Sequence, residues 1–85
     1  MNTVFIEKAS EEYSDWLRKN RKIAEKIWNL IKSIRRDGPM QGLGKPEKLK
    51  YEDTYSRRID EANRLVYKVS DDAVSIISCQ GHYND

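Results

Sequence analysis

The stretch from Ser56 to Tyr67 reads Ser-Arg-Arg-Ile-Asp-Glu-Ala-Asn-Arg-Leu-Val-Tyr. Both of its ends alternate in the manner of half-buried strands, and residues 61–63 lie between them as a turn. In the second strand, Leu65 and Tyr67 share one face and Arg64 lies on the other, because successive side chains of a strand point to opposite sides. The stretch therefore predicts two antiparallel strands joined by a short turn.

Three arginines lie on these predicted strands: Arg57, Arg58 and Arg64. Arginine keeps its charge, and its planar fork of donors matches phosphate oxygens. His82, the only histidine of the sequence, can move a proton near neutral pH. Together these residues predict a phosphate-binding surface. The alternative is that the arginines are solvated or paired with nearby carboxylates, of which four are available: Asp60, Glu61, Asp71 and Asp72.

Two amphipathic helices are predicted ahead of these strands. In the first, apolar residues recur at helical spacing at Ala9, Tyr13, Trp16 and Leu17. In the second, the repeat is Ile23, Ile27, Leu30, Ile31 and Ile34. Asn20 is predicted to end the first helix and cap the second, and Asp37-Gly38-Pro39 to end the second. We expect both apolar stripes to pack against a sheet.

Two more strands are predicted, at Thr3–Ile6 and, after a turn at residues 70–72, at Ala73–Gln80. The order β-α-α-β-β-β predicts one α+β domain over residues 1–85, with two N-terminal helices packed on one face of a small twisted antiparallel sheet. Because chain ends fray unless they are docked, the segment from Gly81 onward is expected to be the least constrained part.

The charge is unevenly distributed along the 85 residues. Residues 1–50 hold twelve Lys or Arg against seven Asp or Glu, which gives +5, and residues 51–85 hold four against seven, which gives −3. The basic half suits a polyanion, while the overall +2 is too small for indiscriminate coating of DNA. The single cysteine, Cys79, excludes an internal disulfide and is expected to be a buried small hydrophobe, which suits a reducing cytosol. No apolar stretch is long enough to predict membrane insertion.

Residues 40–50 are rich in glycine and lysine and are predicted to form a loop. The glycines do not make a phosphate-binding P-loop, because the Gly-Lys-Ser/Thr ending is absent. Glu47 lies among Lys45, Lys48 and Lys50. Nearby cations favour the ionised carboxylate that a general base needs, although a loop glutamate among lysines is also the pattern of a surface ion pair.

Four motifs in register resemble the Txe/YoeB family of bacterial toxins, in the RelE superfamily. They are Gly-Lys-Pro-Glu-Lys-Leu-Lys at 44–50, Ser-Arg-Arg-Ile at 56–59, Asn-Arg-Leu-Val-Tyr at 63–67 and His-Tyr at 82–83. The resemblance also covers the helix with Trp16 and the Ile-rich second helix. This sequence differs from the family at Tyr55, where a tryptophan is common, and in the added tail Asn84-Asp85.

The resemblance implies a RelE-like, microbial-RNase-like fold and a ribosome-dependent mRNA endoribonuclease that needs neither metal nor cofactor. It implies that Glu47 is the general base and His82 the general acid, and that Arg64 is the catalytic phosphate-binding arginine. The implied supporting residues are Tyr83 at the catalytic centre and Arg58, Lys45 and Lys50 in substrate and phosphate binding. The implied setting is the cytoplasm, with the ribosome, mRNA, a cognate antitoxin of the YefM/Axe kind and often a toxin homodimer as partners.

The residue chemistry and the resemblance agree on a mechanism. RNA carries its own nucleophile, the 2′-hydroxyl, so a base, an acid and fixed cations suffice to cleave it and leave a 2′,3′-cyclic phosphate. The alternative is a small basic module that binds RNA or protein and has no chemistry of its own.

Overall fold

The computed structural model describes residues 1–82. The elements are β1 (Asn2–Phe5), α1 (Glu7–Lys19), α2 (Arg21–Asp37), β2 (Glu47–Lys48), β3 (Thr54–Arg58), β4 (Arg64–Val69) and β5 (Ala73–Ser78). The sequence-based assignments for Tyr83 and for the tail Asn84-Asp85 lie outside the described residues.

Both helices form where the apolar stripes predict them. Asn20 separates them, and its Oδ1 accepts a hydrogen bond from the Ile23 amide at 3.3 Å, which caps α2. At the other end of α2, Gly38 takes a φ of 97°, a conformation that costs glycine little. Neither α1 nor α2, within the part of the chain described, has the length and apolar content that spanning a membrane requires.

The five strands form one sheet in the order β1-β5-β4-β3-β2. Strands β2 to β5 pair antiparallel, and a β-bulge interrupts the β4–β5 register between Val66 and Tyr67. The α+β class is confirmed, but the sheet is mixed, because β1 pairs parallel to β5. Turn signals in a sequence specify only neighbouring strands, and these two are separated by the whole intervening chain. The strand β2 was also missed, because two residues carry no alternation.

Both helices pack on the same face of the sheet. The buried apolar residues there are Ala9, Ile27, Leu30, Ile31, Ile34, Ile59, Leu65, Tyr67, Val74, Ile76 and Cys79. Four of the five apolar residues predicted for the second helix are fully buried, so its stripe is core packing. Cys79 is buried as expected, and burial raises the pKa of its thiol to about 12, so the thiol is unreactive at neutral pH.

Candidate active site

The register of β2, β3 and β4 determines which side chains share the second face of the sheet, away from the helices. Glu47 pairs with Ser56, and Arg58 pairs with Arg64. Directly paired residues of antiparallel strands project to the same side, and so do residues two apart along a strand. The second face therefore carries Glu47, Ser56, Arg58 and Arg64, while Leu65 and Tyr67 face the helices.

Glu47 and Arg64 lie close together on this second face. Arg64 Nη1 is 3.8 Å from Glu47 Oε2, and the same nitrogen donates a hydrogen bond to Ser56 Oγ at 3.4 Å. The Arg64 side chain is 28% exposed and that of Glu47 is 60% exposed. A carboxylate and a guanidinium at this separation, both open to solvent, can act on the same phosphodiester group.

Glu47 does have a nearby cation, as expected, but that cation is Arg64 of β4 and none of the three lysines near Glu47 in sequence. Lys48 does not fill that role, because its Nζ donates to the carbonyls of Leu49 and Tyr51, at 3.3 and 3.2 Å. Glu47 also lies on the short strand β2, where a loop was predicted. Pairing with β3 fixes its backbone, which is a better support for a catalytic group than a loop provides.

Gly44 allows the chain to approach β3 just before Glu47. Its carbonyl accepts a hydrogen bond from the Arg58 amide at 2.7 Å, and its φ is 86°. A Cβ at this position would lie 2.7 Å from Leu30 Cδ2, which leaves no room for a side chain. Exposed Lys45 and Arg58 line one groove here, together with Lys26 of α2 and the carboxylates Asp60 and Glu61.

The sequence predicts that Arg57 belongs to a phosphate-binding surface together with Arg58 and Arg64. For Arg57 this prediction is wrong. It is fully buried on the helix-facing side, next in sequence to exposed Arg58. Its guanidinium donates to Tyr67 Oη at 2.9 Å, to Ser33 Oγ at 3.0 Å and to three backbone carbonyls. Those carbonyls belong to Gly38, Gln41 and Leu43, at 2.6–2.8 Å.

The partners of Arg57 are themselves connected. Tyr67 Oη donates to the Pro39 carbonyl at 2.6 Å, and Ser33 Oγ accepts from the Leu43 amide at 3.0 Å. Residues 38–43 are thereby fastened to α2 and to the sheet around one buried charge. Because this loop leads directly into Lys45 and Glu47, Arg57 supports the second face without being part of it.

His82 directly follows a segment that the structure holds firmly. The amide of Gly81 donates to Asn63 Oδ1 at 2.8 Å, and the carbonyl of Gly81 accepts from the Arg64 amide at 3.0 Å. The expectation that the chain is least constrained from Gly81 onward is therefore wrong at Gly81, because these two bonds dock it on the start of β4. His82 is exposed, and it directly follows Gly81, whose carbonyl is hydrogen-bonded to the Arg64 amide.

The other predicted residues lie at the edges of this region. Lys50 is exposed in the loop between β2 and β3, with its Nζ 5.7 Å from the centre of the Tyr51 ring. Tyr83 lies outside the described residues. Ser56 and Asn63 were not predicted as functional from sequence. Strand alternation does place Ser56 beside Arg58, whereas no local pattern points from Asn63 to Gly81, 18 residues away.

Comparison with known proteins agrees with this fold and shows the family of the chain. A family model described as the YoeB-like toxin of bacterial type II toxin–antitoxin systems matches residues 5–83. Toxin YoeB of Escherichia coli (strain K12) is 42% identical over 85 residues, which cover 98% of this chain and 100% of that protein.

Solved structures extend the comparison to three dimensions. The YoeB dimer from Staphylococcus aureus matches with a TM-score of 0.93 at 45% identity, over 98% of each chain. The YoeB–YefM complex from the same organism matches with a TM-score of 0.90 at 46% identity, again over 98% of each chain. The class defined by this architecture is that of the small α+β toxins with a RelE-like fold. Within that class, the chain belongs to the YoeB-like toxins of bacterial type II toxin–antitoxin systems.

Proposed function

We propose that this toxin is a ribosome-dependent mRNA endoribonuclease. The observation that carries the proposal is the approach of Glu47 and Arg64 to 3.8 Å on a solvent-open sheet face beside Arg58. A carboxylate supplies a base, and two guanidinium groups supply fixed positive charge. Family membership supports the same choice, since the motifs at these positions are those that resemble the Txe/YoeB toxins.

The proposed reaction is cleavage of an RNA phosphodiester by its own 2′-hydroxyl. Glu47 accepts the proton of the 2′-hydroxyl as the O2′–P bond forms. Arg64 and Arg58 stabilise the added negative charge on the phosphorus oxygens, because guanidinium donors match those oxygens in geometry and charge. His82 donates a proton to the 5′-oxygen as the P–O5′ bond breaks. The products are a 2′,3′-cyclic phosphate and a free 5′-hydroxyl.

Substrate binding is assigned to the cations around this centre. Lys26, Lys45 and Arg58 line one groove, which Asp60 and Glu61 also line. The RNA backbone is proposed to follow the three cations of this groove away from the cleaved bond. Lys50 supports the substrate from the β2–β3 loop, and Tyr83 supports the reacting centre. A protein of 85 residues has little surface left to align mRNA by itself, so the ribosome is proposed to present and orient it.

The partners proposed for this chain are those of a toxin that must be silenced in its own cytoplasm. Solved relatives from Staphylococcus aureus are a YoeB dimer and complexes of YoeB with the antitoxin YefM, and we infer a YefM-like antitoxin and a homodimer here. A cationic active face favours an inhibitor that brings carboxylates to the arginines and covers Glu47.

The test is translation of a reporter mRNA with the purified toxin, followed by mapping of RNA ends. We expect cleavage with cyclic-phosphate ends, and losses on the order of 10²-fold or more in Glu47→Ala, Arg64→Ala and His82→Ala with the fold retained. Intact mRNA under all conditions, with ribosomes present, would show a non-catalytic binding module instead. Normal cleavage by a variant that carries all three substitutions would refute these assignments.

A further inference from the structure

The segment that carries His82 is held at both ends of residues 79–81. At Cys79, the backbone amide donates to Glu12 Oε1 at 2.8 Å, and the carbonyl accepts from Trp16 Nε1 at 2.9 Å. At Gly81, the amide donates to Asn63 Oδ1 at 2.8 Å. Two side chains of α1 therefore hold the start of the segment, and one side chain of the β3–β4 turn holds its end.

Asn63 has its side-chain amide fixed in one orientation by Asp60. Asn63 Nδ2 donates to Asp60 Oδ1 and Oδ2 at 3.0 and 3.3 Å, and the Asn63 and Ala62 amides both donate to Asp60 Oδ1 at 2.8 Å. Because Nδ2 is turned to the carboxylate, Oδ1 must point the opposite way, toward Gly81. The Asp60 carboxylate thus determines which end of the Asn63 amide meets the C-terminal segment.

The turn itself does not need the bond between Asn63 and Gly81. Backbone bonds from the Ile59 and Asp60 amides to the Asn63 carbonyl, at 3.0 and 3.2 Å, already close it. The bond from Gly81 is an additional, long-range contact, and it lies beside the Arg64 amide that bonds the Gly81 carbonyl. Two consecutive residues, Asn63 and Arg64, therefore grip both sides of the residue that precedes His82.

We propose that Asn63 is a positioning residue that fixes His82 relative to the Arg64 guanidinium. The inference rests on the proposed function, in which His82 protonates the leaving oxygen while Arg64 holds the phosphate. Consecutive Cα atoms are only about 3.8 Å apart, so fixing Gly81 restricts where the imidazole can reach. Misplacement of a catalytic group by about 1 Å can cost on the order of 10²-fold in rate.

The first test is Asn63→Ala, assayed by cleavage of translated mRNA and by hydrogen exchange of the Gly81 amide. We expect kcat to fall about 10-fold to 100-fold, little change in KM for mRNA-programmed ribosomes, and loss of Gly81 protection. Ser70→Ala is the matched control, since it removes a side-chain bond from the turn at the opposite end of β4 and should leave kcat unchanged. Full kcat in Asn63→Ala with Gly81 unprotected would overturn the proposal.

A double-mutant cycle separates positioning from general stability. If Asn63 acts through His82, Asn63→Ala should cause no further loss of kcat in a His82→Ala background, and an additive loss would contradict the proposal.

Exchanging the two side chains of the Asp60–Asn63 pair gives a rescue experiment. Asn63→Asp alone places two carboxylates next to each other and should lower kcat. Adding Asp60→Asn restores one amide and one carboxylate and should recover most of it, whereas no recovery would count against the Asp60–Asn63 pair.

The same experiments distinguish failure of this inference from failure of the proposed function. If His82→Ala cleaves as fast as the native toxin, the assignment of the general acid is wrong, and the positioning role falls with it. The Gly81 amide exchange in Asn63→Ala then still decides whether Asn63 holds the segment. If His82→Ala is inactive and Asn63→Ala is fully active, only the positioning role is refuted.

Discussion

Arg57 and Arg58 are neighbours in sequence and opposites in structure. Arg57 points to the helices, where it is fully buried and donates to five oxygens of the protein. Arg58 points to the second face, where it is exposed and paired across the strands with Arg64. Successive residues of a strand face opposite sides of the sheet. For this reason Arg57 has a structural role, while Arg58 is available to a ligand.

The difference shows how a buried charge can be tolerated without an opposing charge in contact. The Arg57 guanidinium is surrounded by carbonyl and hydroxyl oxygens, and its carbon lies 5.7 Å from the centre of the Tyr67 ring. The negative charge of Asp37 is connected to Arg57 through Ser33. The Ser33 hydroxyl donates to Asp37 Oδ2 at 3.0 Å and accepts a hydrogen bond from Arg57. The loop that precedes Glu47 is organised by this arrangement.

The largest expected effect is on stability, in Arg57→Met. Methionine fills part of the space but leaves the Gly38, Gln41 and Leu43 carbonyls without their donor, so we expect a loss of about 3 kcal/mol in the free energy of unfolding. For a domain of this size, that corresponds to a fall in Tm of roughly 12–24 °C. Thermal and urea unfolding measure it.

Arg58→Met is the matched control for that prediction. It makes the same chemical change one residue away on the exposed face, where stability should change by less than about 0.5 kcal/mol. Equal stability of the two variants would show that the Arg57 contacts contribute little. It would then remove the basis for treating the two arginines as different.

The second prediction concerns the activity of the Arg58 variant, where the first concerned the stability of the Arg57 variant. Arg58→Met should fold normally and lower cleavage of translated mRNA by about tenfold or more, since one fixed cation facing the phosphate is removed. Replacement by lysine should recover part of the activity, because it restores charge without the bidentate geometry. A fully active Arg58→Met would show that Arg64 alone serves the phosphate.

The third prediction concerns the groove that Arg58 shares with α2. Lys26 lines it together with Lys45, while Lys32 lies in a different depression beside Trp28. Lys26→Glu should weaken association with mRNA-programmed ribosomes and reduce its salt dependence more than Lys32→Glu does, because only Lys26 adjoins the proposed RNA path. Equal effects of the two reversals would instead favour diffuse attraction by all the exposed basic residues of α2, which include Arg21, Lys22, Lys26 and Lys32.

Much of this arrangement could be predicted from local patterns. The 3.6-residue repeat of Ile27, Leu30 and Ile34 defines α2, and alternation in β3 and β4 defines the two strands and their turn. Family resemblance assigned phosphate binding to Arg58 and Arg64, which are the two arginines on the second face. The burial of Arg57 could not be predicted, because its acceptors are carbonyls of an irregular loop. The bond from Gly81 to Asn63 joins residues that no short pattern connects.

The smallest expected effect tests whether the charge of Asp37, which lies beside Arg36 and Ser33, contributes to stability at all. Hydrogen bonds from Arg36 and Ser33 hold the pKa of the Asp37 carboxyl below its ordinary value of 3.8, and these outweigh the opposite effect of burial. A carboxyl whose pKa is lower in the folded state stabilises the fold fully above its unfolded pKa and loses that contribution as pH falls through the folded pKa. Asp37→Asn should therefore be slightly less stable than the native protein at pH 7, and the gap should close as pH falls below about 4. Urea unfolding of both proteins at pH 7 and at pH 3 measures the gap. If it stays the same at both values, the Asp37 charge does not contribute, and the carbonyls and hydroxyls around Arg57 account for its burial by themselves.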